Sequence, residues 1–413
     1  MAHSAHTPLP RRPATTGAVA AGLLLLVLAR PATAELRKVT ETFDDGSPRE
    51  VYGVDASDRR QGTAMAYHRD GRIRVRSTYL DGQLHGNLIR WDAEGRKLEV
   101  ALYRRDQLSG PRQIFAEGVR VREELWLAGI RIADRSRTQI TRAIARIEQT
   151  PIKGAAPAEA AALRRLMVYR YLCRVPHEGM TLDARMSAHA AAAARICAHY
   201  RQINHQPPNP GWPESDYRKA FVGARSSNLA FGTRDLVRTI DGYMADSGPA
   251  NTGHLGHRRW CLNPPMLKTG FGQWDDFSAM WCIDRGRRNV PNWDHIAYPP
   301  AGFVPRRLFG SDYPWSVMLS PTAYRPPDAR QLKIRVRAIG PGTLDLEKIR
   351  RLTPMDLEFA EPSIKPYGIR SCLIFRPAGG VAVTPGRRYW VEIEGLQKAD
   401  GSAARIEYFV EFM

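Results

Sequence analysis

Along one segment of the chain, four sets of residues recur at a step of 24: Gly62, Gly86 and Gly110; Tyr67, Trp91 and Phe115; Gly71 and Gly95; Tyr79 and Tyr103. Four independent positions keeping one register define a repeat, and a period of this size is one supersecondary unit copied along the chain. Each copy reads as an aromatic strand, an acid–Gly turn (Asp70-Gly71, Glu94-Gly95 or Glu117-Gly118) and a second alternating strand. Acid–Gly pairs take positive φ readily and close tight hairpins. Successive hairpins laid edge to edge make an extended antiparallel sheet with an aromatic spine. Nothing in the unit looks catalytic, so the segment is expected to act as a spacer or a binding surface.

With its G-x(4)-aromatic and D-G features, the unit resembles the bacterial variant of the MORN-type repeat, here assigned to residues 35–132. The pattern then turns helical and basic, and "PIKGAAPAEA" reads as a linker, so 133–156 is a helical connection. From 157 to 295, helical spacing appears at Ala161–Cys173, Asp183–Arg201, Arg234–Asp246 and Gly256–Leu262. Met186, Ala190, Ala193 and Cys197 fall on one face of the second of these. The prolines of "NHQPPNPGWP" exclude a helix between Asn204 and Pro213. "KTGFGQW" and "FSAMWCID" read as two strands around an Asp275-Asp276 turn. Beyond 296, "PWSVML", "QLKIRVRA", "SCLIFRP", "YWVEIEGL" and "RIEYFVEF" are short strands between Pro and Gly turns, the spacing of a β-sandwich. The expected class is therefore an α+β multidomain chain: hairpin repeats, a helix-and-strand middle and a small C-terminal sandwich.

The first residues set the compartment. Arg11 and Arg12 precede the apolar run Gly17–Ala29, and Ala32-Thr33-Ala34 is an A-x-A site, which together form a secretory signal with cleavage after Ala34. The run is too short for a mature span, and no later segment approaches the ~20 apolar residues that crossing requires. A secreted or cell-envelope protein with no membrane segment after cleavage is expected. The formal charge of +19 comes from 52 Arg and only 9 Lys, scattered rather than clustered. That pattern argues against nucleic acid and for a solvated basic surface able to adhere to anionic envelope polymers. Five cysteines, Cys173, Cys197, Cys261, Cys282 and Cys372, leave two readings open. Either bridges form (Cys173–Cys197 and Cys261–Cys282), or all are buried free thiols; the lack of a C-x-x-C pair argues against a thiolate zinc site.

In the middle region, "LRRLMVYRYLCRVP", "LDARMSAHAAAAARICAHY", "INHQPPNP", "ARSSNLAFG", "LGHRRWCLNP" and "KTGFGQWDDFSAMWCID" follow one another. In order and spacing, the set resembles the CAP superfamily of cysteine-rich secretory, antigen 5 and pathogenesis-related proteins. The resemblance implies an α-β-α sandwich with a cleft floored by two histidines and two acids, where the histidines can hold a divalent ion. Matched by position, the histidines are His205 and His257 and the second acid is Asp246. The first acid position is occupied by Ser227, because this chain has "SSN" where the family has "GEN". A missing carboxylate lowers the affinity of the site for a cation. His254, three residues before His257, has no family counterpart and is expected to cap a helix start or face solvent.

Neutral imidazoles are good metal ligands, so His205 and His257 are the candidate ligands for zinc or magnesium. Three protein ligands are more usual at a catalytic zinc. Two other constellations are weighed: Ser226 or Ser227 with His257 and Asp246 as a hydrolase triad, without a G-x-S-x-G elbow; and His199, His205 and His254 as a three-imidazole metal site. The leading expectation is a non-catalytic exported binding protein whose cleft takes a small apolar or envelope-polymer ligand. The alternatives are a metal-dependent, peptidase-like hydrolase using His205 and His257, and a scaffold recruiting a protein partner through its repeats.

Overall fold

The computed structural model describes residues 36–342 and 344–413; the expected signal segment and its cleavage after Ala34 lie outside the described residues. The described chain is a mixed α/β protein with several mostly antiparallel sheets and seven α-helices. None of these helices is long and apolar enough to cross a membrane.

Residues 37–133 form one ten-stranded sheet in which every pairing is antiparallel, the short strand Gln83–Leu84 pairing only with Ile73–Leu80. The 24-residue step reappears in its register, where Gly62 pairs with Tyr79 and Gly86 with Tyr103; in the last copy the partner slips by one residue and Gly110 pairs with Trp126. Each glycine thus lies opposite an aromatic ring, a pairing that compensates for the missing side chain in a strand. The turn glycines Gly71, Gly95 and Gly118 have φ of 77–81°, as acid–Gly hairpins require. The last hairpin rests on the C-terminal part of the chain, where Leu127 and Ile132 pack with Leu346, Ile349, Trp390 and Phe409.

Helix α1 (Arg137–Glu148) starts with a capping box between Ser136 and Gln139. Helix α2 (Pro157–Leu172) has proline in its first turn. Helix α3 (Ala184–Tyr200) is capped by the Asp183 carboxylate and closed by Arg201 in the left-handed region. Helix α4 (Glu214–Ser226) was not expected from the sequence. Helix α5 (Leu236–Ala245) is capped by Asp235 and closed by Asp246 at φ 45°, and α6 (Gly256–Cys261) follows it. Leu346–Arg351 forms α7.

A three-stranded antiparallel sheet, in the order Ser227–Phe231, Phe277–Trp281, Phe271–Trp274, separates two apolar layers. Leu229, Phe277 and Ala279 meet the alanines of α3 and Ala224 of α4. Phe271 and Met280 point the other way, into a core shared with α2 and α5. Alternation along a strand dictates this division. The close seat of α3 depends on glycine: a Cβ on Gly272 would stand 2.0 Å from Ala191 N, and one on Gly223 of α4 would stand 2.0 Å from His189 O.

The second core continues into two four-stranded sheets, His295–Tyr298/Trp315–Leu319/Ser371–Pro377/Leu357–Ser363 and Gly302–Val304/Ala403–Phe412/Arg388–Gln397/Lys333–Ile339. The five strands read from the sequence are among them; His295–Tyr298, Gly302–Val304 and Leu357–Ser363 are additions. Three arginines in this core correct the reading of a uniformly solvated basic surface. Arg170 and Arg258 are 0% exposed, as is Arg259. Arg170 donates to the carbonyls of Pro176, Cys261, Asn263, Pro264 and Met266. Arg258 donates to Met244, Ala245 and Pro314 carbonyls and to Ser316 Oγ. No carboxylate neutralises their guanidinium groups directly; carbonyl dipoles solvate them. Burial accordingly pulls the pKa of each below that of a free arginine.

Candidate functional site

The site is built where α5 ends and α6 begins. Asp246 takes the left-handed conformation that ends α5, one that Asp tolerates better than most residues. Its side chain is wholly buried, with Oδ1 3.0 Å from His257 Nδ1 and Oδ2 accepting from Arg258 N–H at 3.3 Å. The carboxylate therefore caps the first turn of α6 and fixes the ring of His257 together. Tyr243, one turn back on α5, packs its ring 5.0 Å from that of His257. Asn228 donates to His257 O at 3.1 Å, joining the sheet to α6.

His205 lies in the proline-rich segment between α3 and α4, and its Nδ1 is 2.7 Å from Ala224 O. A carbonyl can only accept, so Nδ1 carries the proton. The same logic applies to His257 facing a carboxylate. In the neutral tautomer that these contacts select, Nε2 of each ring carries the lone pair, the arrangement in which a histidine is oriented by its other nitrogen to serve as a ligand. His254 has the reverse polarity: its Nδ1 accepts from Gly256 N–H at 3.2 Å, which leaves the proton on Nε2. Leu255 between them is fully buried at φ 48°, a costly conformation for a bulky residue.

His205, His254, His257 and Ser227 line one cavity of about 310 Å3, with Trp260 and Tyr367 among the other walls. This volume is at the lower end of the ~300–1,000 Å3 range usual for ligand pockets. Ser227, at the first acid position, is 3% exposed, and its hydroxyl has no hydrogen-bond partner. Asp246 supports the site from behind and does not itself line the cavity. His254 accepts from the first N–H of α6, as its position suggested, and also forms part of the wall beside His205.

The competing constellations come apart. Ser227 Oγ makes no hydrogen bond to His257, and Ser226, the last residue of α4, does not line the cavity, so no Ser–His–Asp triad is assembled. His199 is exposed and packs on Trp212 and Tyr200, away from the cavity that holds His205 and His254. All five cysteines are free and buried, so the bridges Cys173–Cys197 and Cys261–Cys282 do not form. Burial pushes the thiols of Cys173 and Cys282 up to about 12 and that of Cys372 to about 11, which makes them inert at neutral pH.

Among the described residues, no three His, Cys, Asp or Glu side chains converge as a metal-ligand set. The cavity is lined by three histidines and by no carboxylate.

No family model and no curated protein matches the chain. Six solved chains are similar to it at low level, two of them as follows. One is an extracellular protein containing an SCP domain from Bacillus anthracis str. Ames: 13% identity, TM-score 0.24, covering 60% of this chain and 86% of that one. The other is a cysteine-rich secretory protein from Staphylococcus aureus subsp. aureus Mu50: 11% identity, TM-score 0.22, covering 60% and 80%. Likeness at this level carries no argument about what this chain does.

Proposed function

We propose that this chain is an exported, non-catalytic binding protein of the CAP type, whose histidine-lined cavity takes a small ligand. MORN-like repeats and the C-terminal sandwich position that cavity at the cell envelope. Support for the CAP assignment is the ordered motif set together with the helix–sheet–helix layering of this chain. The observation that carries the binding reading is the combination of two free imidazole lone pairs, an unpartnered buried hydroxyl at Ser227 and no carboxylate on the cavity wall. Hydrolysis wants a general base beside the attacking water, and the residue that would supply a carboxylate is a serine.

A metal-dependent hydrolase is the second reading, favoured by one feature: the buried Asp246 that holds His257 by Nδ1. A zinc ion would be held by Nε2 of His205 and of His257, and would supply Lewis acidity there. Calorimetric zinc titration of the mature protein, beside a His205→Ala/His257→Ala double variant, separates the two. Zinc uptake abolished in the double variant, with peptidase activity, would replace the binding reading by the hydrolase. Organic extraction of the purified protein checks the binding reading directly, through a co-purified ligand that the double variant loses.

A further inference from the structure

Part of the cavity wall comes from outside the α-β-α unit. Pro366 and Tyr367 line it, and they belong to the connection between the sandwich strands Leu357–Ser363 and Ser371–Pro377. The buried Arg259 of α6 fastens that connection. Its Nε donates to Ile369 O at 2.7 Å, its Nη2 to Arg370 O at 2.5 Å and to Lys365 O, and its Nη1 to Ser363 Oγ at 3.2 Å. Gly368, at φ 45°, allows the backbones to touch, since a Cβ there would stand 2.5 Å from Arg259 O. Tyr367 is thereby held as a fixed aromatic face, its ring 4.9 Å from that of His254.

The carboxylate-free lining carries one formal charge, and it is positive. Arg225 lines the cavity, whereas no Asp or Glu does. The Ser227 hydroxyl is buried without a partner, and His254 presents Nε2–H. These three are hydrogen-bond donors suited to an anion. The Nε2 lone pairs of His205 and His257 repel an anion and direct it toward the other donors.

We propose that the cavity binds an anionic oxygen group, carboxylate or phosphate, carried on a flat apolar ring. The anion meets Arg225, the Ser227 hydroxyl and His254 Nε2–H, and the ring lies on Tyr367 and Trp260. The proposal rests on reading the cavity as a ligand site and adds the ligand's chemistry. It also makes the C-terminal sandwich, through Tyr367, a specificity determinant of the site.

Calorimetric titration of the full mature chain in chelator, with benzoate, phenyl phosphate, acetate and benzyl alcohol, tests it. At least one ring-bearing anion binds on the order of 10-fold tighter than acetate or benzyl alcohol, as expected where an aromatic contact and a charged contact act together. The stronger of benzoate and phenyl phosphate identifies the anion. Tyr367→Ala reduces the ring-bearing anion to the affinity of acetate while the thermal midpoint stays in place, and Tyr367→Phe, which also controls for folding, retains full binding. Arg225→Gln weakens both anions. Benzyl alcohol binding as tightly as the anions, an unaffected Tyr367→Ala variant, or silence from all four probes overturns the proposal. If the double-histidine variant still loses zinc or a co-purified ligand, the cavity remains a ligand site and only its assigned chemistry fails; if it loses neither, both readings fall.

Discussion

His257 Nδ1 stands 3.0 Å from Asp246 Oδ1, and the aspartate side chain has no exposure to solvent. Removing that carboxylate leaves both the imidazole N–H and the Arg258 amide without an acceptor. Asp246→Ala is expected to cost about 1–3 kcal/mol, the usual penalty for orphaning buried polar groups. Asp246→Asn keeps the shape but offers an amide, so the ring of His257 loses its fixed tautomer. Urea unfolding at constant m measures the first effect. Nitrogen-15 shifts of His257 report the second, and an unchanged tautomer would show that Asp246 does not orient the ring.

Arg170 bridges five carbonyls contributed by the segment after α2 and by the end of α6 with the residues that follow it. Its forked, planar donors reach several oxygens at once; a lysine ammonium has three donors on one atom. Arg170→Lys is expected to lower stability by about 2–3 kcal/mol, the worth of one or two charge-assisted hydrogen bonds. Arg170→Met should lower it further. The urea midpoint decides, and a midpoint within error of the parent for Arg170→Lys would show that charge alone suffices.

Stability should fall as pH drops below about 6.5, the ordinary histidine value. Burial holds His254 below that value, with Lys365 also pressing it down and Asp246 opposing; burial does the same to His177. A base with a depressed folded pKa binds its proton less readily than in the unfolded chain. The unfolded state therefore gains protons first on acidification, and the stability present above pH 6.5 is lost through the window beneath it. Denaturant midpoints from pH 7.5 to 5 should show this decline. His254→Gln should flatten it, and a parallel curve for that variant would assign the slope elsewhere.

Devices that act over a few residues were legible in the sequence. Asp183 and Asp235 cap α3 and α5 by accepting backbone N–H groups two and three residues on, so both helix starts could be read from the chain. The hairpin step was equally local. Helix α4 was missed because its buried face is Ala220, Gly223 and Ala224, too small to give an apolar period. The buried arginines were missed for another reason: a guanidinium that binds carbonyls has no partner residue type to search for. Of the cavity, His205, His257 and Ser227 came from motif positions, and Asp246 proved to stand behind the ring. Tyr367 approaches from a strand connection far along the chain, through a contact that no spacing rule encodes.

Ser227→Glu tests how the missing carboxylate shapes the site. A glutamate at this lining position adds an oxygen ligand and a negative charge beside His205 and His257, giving three protein ligands of the kind usual at zinc. Zinc affinity should rise at least ~10-fold, since converting a two-ligand site to a three-ligand one is worth more than the ~1.4 kcal/mol that factor represents. Without zinc, the same variant should be less stable than the parent, because Ser227 is almost fully buried and an ionised carboxylate there lacks a cation. Its carboxyl pKa should lie above the normal glutamate range for that reason, so the destabilisation grows with pH and disappears when zinc is added. Calorimetry gives the affinity, and thermal midpoints with and without zinc give the crossover. A variant that gains no zinc affinity yet folds normally would mean that residue 227 and the two imidazoles do not share one ion site.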